Sequence, residues 1–526
     1  MSFVNNGLST SLSGSAVESG AGAPVSRRAL VAGIAAAAAL AGANGLASRA
    51  HAAEAGKAGS SADGTAASGS AAGDGEYDIV VVGMGGAGMC AAIAAKEAGA
   101  ERIVILEKAA VVGGNTNFSS GGMNAAETRY QKEAGIEDSV ESFISDTLEG
   151  GHHLNNVDLV TAMCTRSSDA IDWLADHGME LSNVVAAGGA SADRCHRPAD
   201  KSAVGAFLVP RMEQVVADKG IEVRTETGAT ELLKDDAGKV CGVKATDADG
   251  NEVTLRAGAV VLAAGGFGAN FDMIKMYRPD LADMVTTNTG TAQGDGMVMA
   301  QAAGANLIQM DQIQAHPTVY IVEGSRTGML VSESVRGSGS ILINENGERF
   351  VNEMLTRDAV SAAELQQPDG KVWIVYDQGI YDETPLLATY DQRGMSVKGD
   401  TVADLAQALG VDGATLQQTI DDFNAGVADD GASDPFGRTS GLVTPLENGP
   451  FYAIPVYPGI HHCMGGVYVD TDSQALTIKG EKIPGLYAAG EVTGGIHGGN
   501  RLGGNAVCDI VVNGINAGQH AAASLA

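Results

Sequence analysis

The sequence predicts an α/β fold, because a short strand, a glycine-rich turn, a helix and a second strand follow one another soon after residue 75. The β-branched run at residues 77–82 leads directly into the turn at residues 83–88, and an alanine-rich helical stretch continues to Ala98. A second apolar run at residues 102–106 ends in Glu107. Such short apolar runs are typical of parallel strands covered on both faces. The segments therefore form one Rossmann-like βαβ unit.

The turn Gly83-Met84-Gly85-Gly86-Ala87-Gly88 has the spacing of a dinucleotide-binding site, and Glu107 follows its first glycine by 24 residues. Gly83 permits the tight turn, Gly85 lets a pyrophosphate approach the backbone, and Gly88 lets the helix pack against the strand. The helix N-terminus then receives the phosphates, and Glu107 accepts hydrogen bonds from ribose hydroxyls. In this context a bound dinucleotide is favoured over an ordinary turn.

Three later glycine-rich segments indicate which dinucleotide is bound. They lie at residues 113–122, at residues 260–266 after a further apolar run, and at residues 485–506. Separate turns would explain each segment alone but not the set. One chain that returns repeatedly to the same cofactor favours a flavin over a nicotinamide, and Glu491 is placed to bind ribityl hydroxyls.

Length, charge and cysteine content limit the classes of protein to which the chain can belong. A chain of 526 residues predicts two or more folding units. The 33 basic and 64 acidic side chains give a net charge of −31, which argues against a nucleic-acid partner. The six cysteines include no CxxC pair, so a zinc ribbon, an Fe–S run and an attached c-type haem are not expected. No metal-binding side chains are predicted.

The first 52 residues are predicted to be a twin-arginine signal peptide. Arg27 and Arg28 precede a weakly apolar run at residues 29–43, and Ala50-His51-Ala52 resembles a cleavage site. A transmembrane anchor is the alternative, but this run is short for a membrane span. The composition of residues 53–75 predicts a flexible linker. We therefore expect export to the periplasm or the outer face of the cytoplasmic membrane.

Six later motifs carry a family resemblance: GGNTNFSSGGMNAAET (113–128), AHPT (315–318), SESVRGSGSILIN (332–344), TRD (356–358), HHCMGGV (461–467) and GEVTGGIHGGNRLGGNA (490–506). From about residue 76 onward the chain resembles the soluble fumarate reductases of the succinate dehydrogenase/fumarate reductase flavoprotein family. The resemblance implies a Rossmann-like FAD-binding domain at residues 76–310 and 463–526. An α+β capping domain at residues 311–462 interrupts it.

The resemblance also concerns how FAD is held. Membrane-bound relatives tether FAD through a histidine near the second glycine segment, and residues 115–123 contain none, so non-covalent FAD is expected. A structural sodium ion on backbone atoms near residues 463–465 and 491–493 is also implied. The candidate cofactor-binding residues are Gly83, Gly85, Ala87, Gly88, Glu107, Asn115, Thr116, Ser120, Gly121, Gly122, Ala229, Asp295, His462, Glu491, Ala506 and Val507.

The same motifs imply an active site. Arg357 matches the proton donor of the family, and Glu333 and Arg336 match the relay that feeds it. The substrate carboxylates would be bound by His316 and Ser332 at one end and by His461 and Arg501 at the other. The alternative is that Arg357–Asp358 and Glu333–Arg336 are ordinary ion pairs of the cap.

Charge supports the active-site interpretation independently. A dicarboxylate that enters a protein of net charge −31 needs fixed cations, and the guanidinium of Arg501 suits a carboxylate. Arginine is a poor acid, so Arg357 requires a strongly basic carbanion as acceptor and prompt reprotonation by its relay.

The sequence thus predicts an exported reductase that converts fumarate to succinate in anaerobic respiration. No haem motif precedes Tyr77, so a separate cytochrome or flavoprotein at the membrane is expected to donate electrons. Urocanate, an acrylate or a cinnamate is the alternative substrate, because Ser332 replaces the usual threonine and the loop at residues 319–330 is about four residues longer than in soluble relatives. An alternative from a different functional class is a flavin carrier that catalyses no reaction.

Overall fold

The computed structural model describes residues 74–526; the predicted signal peptide at 1–52 and the predicted linker up to residue 73 lie outside the described residues. The strands are β1 (Gly75–Val82), β2 (Ile103–Leu106), β3 (Met123–Asn124), β4 (Asn183–Val185), β5 (Cys195–Arg197), β6 (Glu222–Arg224), β7 (Gly228–Lys234), β8 (Val240–Thr246), β9 (Glu252–Leu262), β10 (Leu307–Ile308), β11 (Ile313–Ile321), β12 (Gly328–Leu330), β13 (Ile341–Ile343), β14 (Val372–Asp377), β15 (Val397–Gly399), β16 (Phe451–Cys463), β17 (Gly466–Tyr468), β18 (Gln474–Leu476), β19 (Lys482–Ala488) and β20 (Thr493–Gly494). The α-helices are α1 (Gly86–Glu97), α2 (Arg129–Ala134), α3 (Val140–Gly150), α4 (Val157–Thr165), α5 (Ser167–Asp176), α6 (Val204–Asp218), α7 (Phe271–Tyr277), α8 (Asp295–Ala302), α9 (Glu333–Gly337), α10 (Arg357–Glu364), α11 (Gln378–Glu383), α12 (Pro385–Gln392), α13 (Val402–Leu409), α14 (Gly413–Ala428) and α15 (Asn505–Ala523). Short 3-10 helices cover Gly114–Phe118, Pro279–Leu281 and Pro368–Gly370.

An eight-stranded sheet contains the predicted βαβ unit. Its main path runs β18-β19-β9-β1-β2-β6, with β8 beside β9 and β7 beside β8. β1 pairs in parallel with both neighbours, so that Val80 lies opposite Val104 on one side and Val260 on the other. The predicted α/β class is confirmed, and β1 begins two residues earlier than the sequence pattern indicated.

The glycine-rich turns that were predicted to share one cofactor follow neighbouring strands of this sheet. β1 ends at Val82, β9 at Leu262 and β19 at Ala488, and β19, β9 and β1 are adjacent and parallel. The carboxyl ends of adjacent parallel strands meet at one edge of a sheet, where ligands of α/β proteins bind. The turns at residues 83–88, 263–266 and 489–491 therefore come together.

The described residues form two hydrophobic cores. The first surrounds the eight-stranded sheet, and the second consists of residues between Val331 and Val456. The second core packs on a sheet of order β12-β11-β16-β14-β13, in which β15 also pairs with β16. β16 joins the two, since Ile460 belongs to the first core and Ile454 to the second. The division into residues 76–310, 311–462 and 463–526 stays a prediction.

A buried charge cluster anchors α9 within the second core. The carboxylate of Glu353 accepts hydrogen bonds from Arg349 at 2.9 Å and from Arg438 at 2.9 Å. Arg438 also donates to the carbonyl of Arg336 at 2.9 Å. Each charge of the cluster is paired, as buried charges must be to remain ionised. The cluster therefore fixes the C-terminal end of α9.

Two small sheets complete the fold: β3 and β4 flank β5, and β10 and β20 flank β17. The pairing of Val467 with Thr493 brings residues 463–465 close to residues 491–493. The six cysteines, all within residues 74–526, are free thiols. No helix in this range has the length and apolar character required to cross a membrane.

Candidate active site

A cavity of about 700 Å³ opens at the edge of the sheet where the glycine turns meet. Apart from Gly88, every residue predicted to bind the cofactor lines this cavity. Arg357, His461 and Arg501 of the predicted catalytic and substrate-binding set line it as well. His316 and Ser332 lie behind its wall and are buried. One cavity thus combines the predicted cofactor site with one end of the predicted substrate site.

The first glycine turn has the shape required for a dinucleotide. A Cβ atom at Gly88 would lie 1.9 Å from the carbonyl oxygen of Gly83, so this position requires glycine for the close packing of α1 on β1. Gly83 has a φ of +104°, which other residues rarely adopt. Beside Gly85 the nearest atom to an added Cβ is 3.8 Å away, and this open space faces the cavity. The residues present therefore fit the pyrophosphate of FAD.

Two acids lie at the ends predicted for the ribose and the ribityl chain. Glu107 accepts hydrogen bonds from the backbone N–H groups of Met84 at 3.0 Å and Ala109 at 2.9 Å. Glu491 accepts from the N–H of Cys463 at 3.0 Å. Burial raises the pKa of Glu491 above its ordinary value. Both carboxyl groups are fixed by backbone donors and border the cavity, where hydroxyl groups of a cofactor can reach them.

Asn288 and Lys108 border the cavity, and the sequence analysis did not identify them. Asn288 accepts a hydrogen bond from Asn115 at 2.6 Å across 173 residues of sequence, and no local pattern indicates it. Lys108 donates to Asp295. Its position directly after Glu107 is a signal that could have been used, because a cation beside the ribose-binding acid lies close to the phosphates.

His316 presents an unpaired donor. The N–H of Thr318 donates to Nδ1 of His316 at 3.2 Å, so the neutral ring carries its proton on Nε2. Burial, with the charge of Arg357, lowers the pKa of His316 well below its ordinary value, and the ring is neutral at neutral pH. Nε2 is buried and has no partner among the described residues. A buried N–H without an acceptor is rare, and here it can donate to a ligand that brings an acceptor group.

His461 lies beside His316, with 5.0 Å between the ring centroids. The Thr287 hydroxyl lies 2.7 Å from Nδ1 of His461. When that hydroxyl donates, Nε2 of His461 carries the proton and can donate to a ligand. Burial and the charge of Arg357 lower the pKa of His461 well below its ordinary value. The two rings thus supply hydrogen-bond donors rather than positive charge.

Arg501 supplies a buried cation on the cavity wall. Its Nη1 donates to the carbonyl of Leu502 at 3.1 Å, and its Nε has no partner in the described part of the chain. Burial, with the nearby charge of Arg357, lowers the pKa of Arg501 to about 9. The guanidinium remains charged at neutral pH, and an anion beside it would stabilise the charged form. Arg501 therefore suits a carboxylate.

Arg357 is oriented by two side chains. Its Nε and Nη2 donate to Oε2 of Glu333, at 2.8 Å and 2.7 Å. Its Nη1 donates to Gln314 at 3.2 Å, and Gln314 in turn donates to the carbonyl of Arg501 at 2.8 Å. Burial acts to raise the pKa of Glu333, but the charges of Arg357 and Arg336 outweigh it and hold the pKa below its ordinary value. Gln314 is a site residue that the sequence analysis did not identify.

The third member of the predicted relay, Arg336, lies behind this pair. It is 1% exposed, and its Nη1 donates to the carbonyl of Glu353. Its Nε and Nη2 have no partner among residues 74–526. Arg336 acts on Glu333 through its charge, and in the described part of the chain no hydrogen bond joins the two side chains. Of the three residues predicted to form a relay, Glu333 contacts Arg357 directly, and Arg336 interacts with Glu333 through its charge.

Ser332 connects the two sides of the cavity. Its hydroxyl accepts a hydrogen bond from Ser120 at 3.1 Å, and its backbone N–H donates to the hydroxyl of Tyr390 at 3.1 Å. Ser120 and Tyr390 both line the cavity. Tyr390 was not identified from the sequence, because nothing local marks a contact across 58 residues.

The fold and the site together define an FAD-dependent oxidoreductase. A family model described as an FAD binding domain matches residues 78–507. The open conformation of a flavocytochrome c3 fumarate reductase is 41% identical, with a TM-score of 0.73, and the match covers 86% of this chain and 79% of that chain. The chain belongs to the succinate dehydrogenase/fumarate reductase flavoprotein family, and its fumarate reductase homologues are oxidoreductases that act on CH–CH bonds.

Curated relatives agree with this assignment. The NADH:fumarate oxidoreductase of Klebsiella pneumoniae is 44% identical over 446 residues, which cover 85% of this chain and 48% of that protein. The chain thus spans about half the length of that relative. A probable fumarate reductase of Shewanella frigidimarina is 42% identical, covering 84% of this chain and 74% of that protein. The urocanate reductase of Eggerthella lenta is 39% identical, covering 85% and 75%.

Proposed function

We propose that this protein reduces fumarate to succinate, with Arg357 as the proton donor. The observation that carries the proposal is the set of unpaired donors around Arg357: Nε2 of His316 and Nε of Arg501 are buried and have no partner within residues 74–526. Both residues lie in the electrostatic field of Arg357. Unsatisfied donors at two places suit a ligand with an acceptor group at each end.

The side chains of the site bind and polarise the substrate. Arg501 and His461 hold one carboxylate, while His316 and Ser332 hold the other. Hydrogen bonds from both ends withdraw electron density from the double bond. Charge then develops where fixed donors already point, which lowers the barrier without reorganisation of the site. Enclosure in the cavity holds the reactants together and removes water.

One alkene carbon would accept the hydride that reduced FAD supplies when it is bound at the glycine turns. Arg357 gives a proton to the other carbon, so that fumarate gains one hydride and one proton and becomes succinate. Glu333 holds the guanidinium in one orientation through two hydrogen bonds and stabilises it when it is protonated again. The alternative of a non-catalytic flavin carrier leaves this oriented arginine without a role.

A larger unsaturated acid is the second candidate substrate. Part of the long segment at residues 319–330 forms a hairpin in which Val319 pairs with Leu330. Residues 327–330 of this hairpin line the cavity, together with Leu386 and Tyr390. These side chains offer apolar surface beside Ser332. The relative named as a urocanate reductase favours keeping this candidate.

A substrate panel tests the proposal. The FAD-loaded protein is supplied with reduced methyl viologen and with fumarate, urocanate, acrylate or cinnamate. We expect fumarate to be reduced with the highest kcat/KM, because it alone offers a small acceptor group at both ends. Comparable rates on urocanate or cinnamate would reject the dicarboxylate assignment while keeping the flavin and Arg357 chemistry.

The remaining proposals concern cofactors. We propose that FAD is held without a covalent bond, because residues 115–123 contain no histidine. We also propose a structural sodium ion at the carbonyl groups of residues 463–465 and 491–493, and the pairing of Val467 with Thr493 supports it. Dialysis against sodium-free buffer should lower the unfolding temperature if this ion is present.

Export and electron supply are proposed from the sequence and the relatives. The pair Arg27 and Arg28 supports export by the twin-arginine route to the periplasm or the outer face of the cytoplasmic membrane, for anaerobic respiration. Replacing both arginines by lysine should retain FAD-loaded precursor in the cytoplasm. A separate cytochrome or flavoprotein at the membrane is the proposed electron donor; two relatives are named fumarate reductase (cytochrome).

A further inference from the structure

The turn at residues 187–190, between β4 and β5, packs against the carboxyl group of Glu333. The turn is closed by a hydrogen bond of 3.1 Å from the N–H of Ala190 to the carbonyl of Ala187. A Cβ atom at Gly188 would lie 2.6 Å from Oε1 of Glu333. The φ of Gly188 lies outside the left-handed region. Glycine is therefore favoured here by the close approach of the carboxylate and not by the backbone conformation.

A buried ion cluster holds this turn in place from its C-terminal side. The N–H and the hydroxyl of Ser191 donate to Oδ2 of Asp146, at 2.7 Å and 2.8 Å. The same oxygen accepts from Arg194 at 2.8 Å, and Arg194 also pairs with Asp138 at 2.8 Å. The side chain of Arg194 is 1% exposed, so the cluster is part of the interior. The turn is thus anchored, and Gly188 has a defined position.

One oxygen of Glu333 is open to water beside this turn. Both hydrogen bonds from Arg357 go to Oε2, and Oε1 accepts none within residues 74–526. The side chain of Glu333 is 20% exposed, and Oε1 is not among the buried atoms that lack a partner. Glu333 does not line the cavity, whereas Arg357 does. Gly188 is half-buried and Gly189 is exposed, so Oε1 meets solvent at the turn and not at the substrate site.

Arg336, in contrast, is poorly placed to take protons from solvent. It is 1% exposed, and its Nη1 donates to the carbonyl of Glu353 and not to Glu333. Proton transfer needs hydrogen-bond contact or one bridging water. Glu333 meets this requirement on both sides, because Oε1 contacts water and Oε2 contacts Arg357.

We propose, on the basis of the proposed function, that protons enter the relay at Oε1 of Glu333 through the turn at residues 187–190. Arg357 has by then given its proton to the substrate carbon. A hydronium ion at the turn loses a proton and becomes water, as an O–H bond forms at Oε1. The carboxyl group turns about its Cγ–Cδ bond, its O–H bond breaks, and an N–H bond of Arg357 forms. Glu333 is again a carboxylate, and Arg357 is again a cation.

A second glycine gives the carboxyl group room to turn. A Cβ atom at Gly503 would lie 3.1 Å from Oε2 of Glu333 and 3.4 Å from Nη2 of Arg357. Glu333 therefore lies between Gly188 and Gly503, neither of which has a side chain to restrict it. Gly188 does not touch the substrate. It is a positioning residue that leaves Oε1 uncovered.

Gly188→Ala tests this entry route. The added methyl group would cover Oε1 or push the carboxylate away from Arg357, so kcat for fumarate should fall at least about tenfold while KM changes little. The solvent deuterium isotope effect on kcat should rise, because proton entry becomes rate-limiting. Gly337→Ala, on the helix that carries Glu333, is the matched control and should behave as the wild type. An unchanged kcat in Gly188→Ala, or a lower kcat without a larger isotope effect, would overturn the proposal.

Thiol labelling measures the access from solvent without turnover. In the FAD-loaded protein, Glu333→Cys should react with iodoacetamide, and adding Gly188→Ala should slow this reaction. Val335→Cys, at a buried position of the same helix, should stay unlabelled. The wild type gives the background, since five of its six cysteines are buried.

The labelling also separates this proposal from the proposed function. A Glu333→Cys protein that reacts no faster than Val335→Cys would overturn the entry route, and so would labelling that Gly188→Ala leaves unchanged. A wild type that does not reduce fumarate would overturn the proposed function instead. The labelling rates would then still decide whether solvent reaches position 333 through the turn.

Discussion

Arg357 and Glu333 form a two-point ion pair in which Nε and Nη2 of the arginine both donate to Oε2 of the glutamate, at 2.8 Å and 2.7 Å. Among the described residues Asp358 forms no ion pair with Arg357, and its Oδ2 lies 2.7 Å from Nε2 of His152. The pair crosses from α9 to α10 and joins two elements of the second core. It leaves one nitrogen of the guanidinium, Nη1, for Gln314. Arg357 is therefore held in a single orientation at the cavity wall.

Replacing Arg357 should remove turnover while leaving substrate binding measurable. Its role in the proposed mechanism exists only in the transition state, so Arg357→Ala should lower kcat by roughly 100- to 10,000-fold. Steady-state kinetics and fumarate binding by calorimetry separate the two effects. Arg357→Lys, which keeps the charge but loses the fork geometry, is the matched control and should also be slow. An Arg357→Ala protein that binds fumarate weakly but turns over at a normal kcat would show that the proton comes from another group.

Arg501→Ala should weaken dicarboxylate binding. The variant loses a charge-assisted hydrogen bond, which contributes about 1.5–3 kcal/mol, so Kd and KM should rise roughly 10- to 150-fold. Succinate titration measures Kd without turnover. Arg393→Ala, at the cavity mouth, serves as the control for a general loss of positive charge. An unchanged Kd in Arg501→Ala would place the carboxylate elsewhere.

FAD should leave the protein when the chain is denatured by acid, since no covalent link is expected. Flavin absorbance in the supernatant after precipitation measures release. Gly88→Ala should prevent FAD loading, because the added Cβ would lie 1.9 Å from the carbonyl of Gly83. Gly337→Ala is the control, because no described atom outside its own helix and chain neighbours lies within 4 Å of the added Cβ. Flavin that stays with the precipitated chain would reveal a covalent bond.

The stability of the protein should depend on pH through His316. Its folded-state pKa lies well below the ordinary value of 6.5, so the unfolded chain binds protons more readily than the folded one. The free energy of unfolding should therefore fall as pH falls through 6.5. Between pH 7.5 and 5.5, His316→Gln should lose about 1 kcal/mol less than the wild type in urea unfolding. Exposed His153→Gln should behave as the wild type; an equal loss in His316→Gln would contradict the assignment.

The sequence predicted the parts of this structure that local patterns determine. The βαβ unit follows from apolar runs and glycine spacing, because parallel strands and phosphate turns constrain neighbouring residues directly. The observed strand β1, Gly75–Val82, contains the whole predicted run. The meeting of the distant glycine turns was also predicted, since each ends a strand.

Contacts between distant segments could not be predicted from the sequence. Tyr390 contacts Ser332 across 58 residues, and Asn288 contacts Asn115 across 173, with no local pattern at either end. Gln314 had a usable signal, because it stands two positions before His316 on a strand, where residues i and i+2 share a face.

The measurement that tests the account most directly is the ratio of kcat/KM for fumarate to that for crotonate. The two acids differ by one carboxylate that is replaced with a methyl group, so the ratio reports whether both ends of the site bind a carboxylate. Crotonate would leave buried donors such as Nε2 of His316 unpaired, at about 1–3 kcal/mol each. The account predicts a ratio of at least about 100. A ratio near one would contradict the two-ended carboxylate site.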